Sequence, residues 1–166
     1  EMGIGASGND SVLLMPPPVG FTYGAVSLQG AAGSDTLESR GPAASFYGGE
    51  GTDRLIPGPG KDEVYGEGGE DTVDYSGRTA PVTVDLSTDQ PVNGAVGEKD
   101  KIKGVEHILG GSGADKLSGS DSANEILGGK GGDTISSKGG QDTIEARDSV
   151  KDTIACGTGS VYNTAG

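Results

Sequence analysis

Asp53, Asp62 and Asp71 stand nine residues apart, and each is followed two residues later by an aliphatic side chain, Leu55, Val64 or Val73. Asp115, Asn124, Asp133 and Asp142 repeat the interval with Leu117, Ile126, Ile135 and Ile144. Most of these residues close a short glycine-rich run. Gly48, Gly49 and Gly51 precede Asp53, Gly58 and Gly60 precede Asp62, and Gly66 and Gly69 precede Asp71. Gly110, Gly111 and Gly113 precede Asp115, and Gly128, Gly129 and Gly131 precede Asp133. A carboxylate beside backbone carbonyls that no side chain obstructs is a set of hard oxygen donors. Calcium takes about 6 to 8 such oxygens in tolerant geometry, whereas magnesium demands a tight octahedron, so these residues are candidate calcium ligands. Weaker copies add Asp35 with Leu37 and, after a one-residue slip, Asp152 with Ile154. Asp10 is isolated from the others, and two readings stay open for it: a ligand of the same kind, or a turn residue bonded to its own backbone.

The elements that must position these donors follow from the same period. From Gly48 the chain reads GGEGTDRLI, PGPGKDEVY and GEGGEDTVD; from Gly110 it reads GGSGADKLS, GSDSANEIL, GGKGGDTIS and SKGGQDTIE. The glycine-rich part of a unit makes a turn, and the Asp-x-aliphatic part makes a short strand with one inward side chain. Two units complete one coil of about eighteen residues, and successive coils pair as parallel strands roughly 4.8 Å apart. The fold predicted is all-β: a parallel β-roll, or β-solenoid, of two short-stranded sheets joined by Gly/Asp-rich turns. Asp35 keeps the frame across a degenerate unit, SRGPAASFY, in which Ala44 takes the Asp place and Phe46 the apolar one.

These nonapeptides resemble the RTX, or repeats-in-toxin, family, whose GGxGxDxUx unit Gly48 to Ile56 matches at every fixed position. DTVDYSGRTAPVTVDL from Asp71 and GVEHILGGSGADKLSG from Gly104 are similar to the linking turns of that family. The resemblance implies a parallel β-roll, several Ca2+ ions sandwiched between turns one coil apart, and export from bacteria to the extracellular space or cell surface. Carried over, it stacks Asp35, Asp53 and Asp71 on one edge, with Asp62 opposite. It likewise stacks Asp115 and Asp133, with Asn124 and Asp142 opposite them.

Composition narrows the function. The chain has 166 residues with 33 glycines, no tryptophan, 31% apolar residues and a formal charge of −13, too little apolar surface for an ordinary large core. That charge argues against nucleic acid or anionic membrane as partners and for cations or basic surfaces. No apolar run is long enough for a membrane span, and the first residues lack the basic and apolar regions of a signal peptide, so such a leader either never existed or has been removed. Cys156 is the only cysteine, which leaves it to a turn or to crosslinking between chains. His107 is the only histidine and falls on a strand with no catalytic motif, so no enzyme is expected.

The chain divides into an irregular or capping segment 1–29, a first repeat block 30–78, irregular linking coils 79–107, a second block 108–157 and a tail 158–166. Asp74, Asp85 and Asp89 lie outside the frame and are expected in solvent. The leading expectation is a calcium-binding extracellular structural or scaffold module. The alternatives are the C-terminal calcium-binding or export part of a secreted hydrolase or toxin, and a solenoid that associates end to end into filaments.

Overall fold

The computed structural model of the chain describes residues 7–158 and the backbone of 160–163; the expected tail 158–166 and the first six residues therefore lie largely outside the described residues. Among these residues there is no helix. The strands in chain order are β1 (Ser11–Leu14), β2 (Ser27–Gly33), β3 (Thr36–Ser39), β4 (Ser45–Gly51), β5 (Arg54–Ile56), β6 (Glu63–Gly69) and β7 (Thr72–Asp74). There follow β8 (Val82–Asp85), β9 (Gly94–Ala95), β10 (Lys101–Lys103), β11 (His107–Leu109), β12 (Lys116–Ser118) and β13 (Glu125–Leu127). The last four are β14 (Thr134–Ser136), β15 (Gln141–Glu145), β16 (Thr153–Ala155) and β17 (Ser160–Asn163).

One face of the roll is a continuous parallel sheet of eight strands in the order β1-β3-β5-β7-β11-β13-β15-β17. The other face is split into a four-stranded sheet, β10-β6-β4-β2, and a five-stranded sheet, β16-β14-β12-β8-β9, in which β9 alone is antiparallel. The eighteen-residue coil appears directly in the pairing: Leu37 lies opposite Leu55, Phe46 opposite Val64, Ile108 opposite Ile126 and Leu117 opposite Ile135.

The split on the second face comes from the segment between the blocks. After β7 the chain reaches forward to place β8 beside β12, and then turns back to place β10 beside β6 before β11 resumes next to β7. Residues 79–107 thus hold strands in both sheets of the second face.

The third residue of each Asp-x-aliphatic triplet forms the core. Leu37, Leu55, Val64, Val73, Leu117, Ile126, Ile135 and Ile144 are fully buried and belong to one apolar cluster that also takes Val84, Ile102, Ile108 and Tyr75. One inward aliphatic per three-residue strand makes a thin core, and the turns must supply the remaining order.

Candidate metal centre

The turns stack as regularly as the strands. In 48–51, Gly49 and Gly51 adopt φ of 109° and 138°, and a side chain on either would collide with the carbonyl of Ala31 or Gly33 in the preceding coil. This close backbone approach is why glycine recurs in the run.

Most turns end in a buried acid. Along the edge leading into the eight-stranded sheet, the N–H of Asp35 donates to Asp53 Oδ1 at 2.8 Å and the N–H of Asp53 to Asp71 Oδ1 at 2.9 Å. The ladder extends past the expected residues in both directions: Asp10 N–H donates to Asp35 Oδ1 at 2.6 Å, and Asp71 N–H to Glu106 Oε2 at 3.0 Å. Further along, Asn124 Nδ2 donates to Glu106 O, and Asn124 N–H donates to Asp142 Oδ1.

A second ladder runs along the opposite edge. The N–H groups of Ala44 and Asp62 donate to Asp62 and Asp100 Oδ1 at 2.7 and 2.9 Å. The N–H groups of Val82, Asp115 and Asp133 donate to the Oδ1 atoms of Asp115, Asp133 and Asp152 at 2.9, 2.8 and 2.9 Å.

One carboxylate oxygen of each acid therefore belongs to the fold. The other is free at several of them: Oδ2 of Asp35, Asp53, Asp62, Asp71 and Asp142 is buried with no hydrogen-bond partner, as is Oδ2 of Asp10 at the end of the first ladder. A buried carboxylate oxygen in that state is strongly unfavourable unless a cation or a proton completes it. Burial pushes Asp62 up to about 7, assisted by the charges of Asp100 and Glu98 against the lowering bond from Ala44. Asp71, Asp100 and Asp133 rise to about 6, again led by burial. Burial raises Asp53 and Asp115 as well.

At Asp35, Asp53 and Asp71 the free oxygen shares its surroundings with a main-chain carbonyl. A methyl group on Gly48 would stand 2.5 Å from Asp53 Oδ2 and 2.6 Å from Gly66 O, so the two oxygens, from successive coils, converge on one small space. The same pairing of a carboxylate with the next coil's carbonyl recurs at Gly30 with Asp35 and Gly48, at Gly66 with Asp71 and Gly104, and at Gly110 with Asp115 and Gly128. Among the described residues, no three His, Cys, Asp or Glu side chains form a metal cluster, so a cation here must draw on main-chain carbonyls. One anionic oxygen and several carbonyls per turn suit calcium in charge, hardness and tolerance of geometry.

Residues 47–77 and 104–144 match the family described as RTX calcium-binding nonapeptide repeat, in four copies. The chain carries RTX calcium-binding repeats. A search of curated proteins gave no match. The first RTX segment covers the turns ending at Asp53, Asp62 and Asp71, and the second covers those ending at Asp115, Asn124, Asp133 and Asp142.

Within these RTX turns the expected residues take unequal places. The turn 110–113 differs from 48–51: Gly111 N–H donates to Asp115 Oδ2 at 2.6 Å, so that second oxygen is already engaged. Asn124 Oδ1 accepts from Ser120 N–H and Oγ, a neutral rung that needs no ion. Two acids outside the nine-residue frame, Asp100 and Glu106, are ladder members that the spacing did not reveal, since they fall 38 and 35 residues after Asp62 and Asp71. Both nonetheless keep the local triplet, as Asp100-Lys101-Ile102 and Glu106-His107-Ile108, and that was the available signal.

Asp74 corrects the expectation of solvent exposure: it is buried and ion-paired with Arg54, which stands on the adjacent strand β5 opposite Thr72 and reaches across to it. Asp85 is partly covered by Ser87 and Lys138, and Asp89 is exposed beside Lys103.

Proposed function

We propose that the chain is a calcium-folded extracellular scaffold module, in which ions between successive turns complete the two carboxylate ladders. The observation that carries this reading is that the buried, unpartnered Oδ2 atoms of Asp35, Asp53 and Asp71 each lie beside a main-chain carbonyl of the next coil, that of Gly48, Gly66 or Gly104. Asp35, Asp53 and Asp71 with the carbonyls of Gly48, Gly66 and Gly104 would hold ions on one edge. Bound calcium would neutralise stacked carboxylates that otherwise repel, and its binding energy would become folding energy. The family resemblance supports secretion by bacteria, and no helix among the described residues is long and apolar enough to cross a membrane.

The role is binding rather than catalysis. His107 faces Glu70 at 3.3 Å, and the cleft around it, lined by Glu70, Asn124, Glu125, Gln141 and Thr143, offers no serine or cysteine nucleophile. End-to-end association is a second reading. It is favoured by β2, an edge strand of seven residues whose outer side is met, among the described residues, only by the bridge from Ser7 to Ala32. Sedimentation velocity over a concentration series in calcium separates a monomeric scaffold from a growing filament.

The experiment for the main reading is circular dichroism during calcium titration of metal-free protein. A gain of β signal and of melting temperature with calcium, much weaker with magnesium, is expected. An unchanged spectrum and melting temperature in excess chelator would overturn it.

A further inference from the structure

We infer that Arg78 is the resident cation at the junction of the two repeat blocks, holding with its guanidinium a turn carbonyl of the kind that faces the ion spaces elsewhere. The inference rests on the calcium reading for those other turns. Arg78 Nη2 donates to Pro57 O at 3.2 Å and to Gly58 O, while Nη1 donates to Glu98 Oε1 at 3.1 Å. The side chains of Arg78 and Glu98 are only 23% and 12% exposed. Glu98 is itself fixed, its Oε2 accepting from Ala95 N–H at 2.8 Å.

The identity of the carbonyls decides what this contact means. Pro57 and Gly58 are the first two residues of the turn ending at Asp62, the equivalents of Gly48 and Gly49. Elsewhere the carbonyl at the first place, that of Gly48, Gly66 or Gly128, faces the carboxylate of the preceding coil, that of Asp35, Asp53 or Asp115. For Pro57 the preceding coil offers Ala44, which has no carboxylate. The anionic half of an ion space is therefore missing, and a positively charged fork with its own carboxylate, Glu98, takes the carbonyl side. A planar guanidinium satisfies several oxygens at once, and its charge repels a divalent ion brought to the same carbonyls.

The backbone of Arg78 completes the clasp. Its carbonyl accepts from Ser112 N–H at 2.9 Å and Ser112 Oγ at 3.3 Å, in the first turn of the second block. One residue thus ties the 57–62 turn of the first block to the 110–115 turn of the second, on the edge where β8 and β10 divide the sheet. The consequence is a junction closed without metal.

Two measurements on the intact chain test this. In crystals grown with terbium(III) as a calcium probe, anomalous scattering should place ions in the Asp53 and Asp71 turns and none at Pro57 O or Gly58 O, with the Arg78–Glu98 pair intact. An ion coordinated by either carbonyl would overturn the inference. In thermal unfolding, Arg78→Gln should lower the melting temperature by about 4 °C or more both in calcium and in chelator. It should leave the calcium-induced rise unchanged, since no ion leaves with the side chain. No loss in chelator, or a reduced calcium-induced rise, would also overturn it; should Arg78→Gln fail to fold, Arg78→Lys, which keeps the charge without the fork, is read in the same way. A wild-type chain that shows no ion and no calcium-induced rise sinks the calcium reading instead, and the Arg78 clasp is then decided by the variant in chelator.

Discussion

At the scale of the residue, each ladder aspartate has two unlike oxygens. Oδ1 belongs to the backbone ladder with or without metal, whereas Oδ2 of Asp53 is buried and faces Gly66 O beside Gly48. Gly48→Ala should therefore lose about 2 kcal/mol or more, because its methyl must displace oxygens of two coils. Gly77→Ala meets nothing within 4 Å and should be neutral or slightly stabilising. Denaturant melts of the two variants in calcium check this, and equal losses would contradict it. The raised acids give a pH dependence of definite sign. Asp62 at about 7 and Asp71, Asp100 and Asp133 at about 6 lie above the ordinary carboxylate value near 4. A folded-state value above the unfolded one adds stability that is complete below about pH 4 and lost as pH rises through about 6 to 7. Metal-free protein should accordingly melt at a higher temperature at pH 5 than at pH 8, and calorimetry showing the reverse would contradict the burial of these groups as acids.

At the scale of the element, three residues suffice for a strand because one aliphatic side chain reaches the core and both flanks bond to neighbouring coils. Ile135 is fully buried while Thr134 beside it is exposed. Ile135→Asp should destabilise the second block by about 3 kcal/mol or more and Thr134→Asp by well under half of that, as an unpaired charge is costly only inside. Equal shifts in melting temperature would refute the register. This part of the fold was legible in the sequence: the strand frame and the inward residues follow from a period of nine and a coil of about eighteen, and the stacking of Asp35, Asp53 and Asp71 is what the RTX resemblance implied. The junction was not. Asp100 and Glu106 rejoin the ladders after excursions of a length no period contains, and Asp74 is buried through Arg54, a partner eighteen or more residues away in the chain. Nor could spacing show that β8 reaches forward to β12 while β10 returns to β6, since both are long-range pairings through a segment with no repeat.

At the scale of the whole molecule, a formal charge of −13 is concentrated in part on two ladders along opposite edges of a thin roll. Under the calcium reading, cations are shared between turns one full coil apart on the same edge. A double-mutant cycle on Asp53→Asn, Asp71→Asn and Asp62→Asn, with stability measured at saturating and at zero calcium, tests it most directly. Asp53 and Asp71 are linked through the Asp53 N–H to Asp71 Oδ1 bond and share an edge, whereas Asp62 bonds to Ala44 and Asp100 on the other. Calcium should increase the coupling between Asp53 and Asp71 by about 1 kcal/mol or more, while Asp53 and Asp62 remain additive within about 0.5 kcal/mol. Coupling in calcium that is as large for Asp53 with Asp62 as for Asp53 with Asp71 would contradict it.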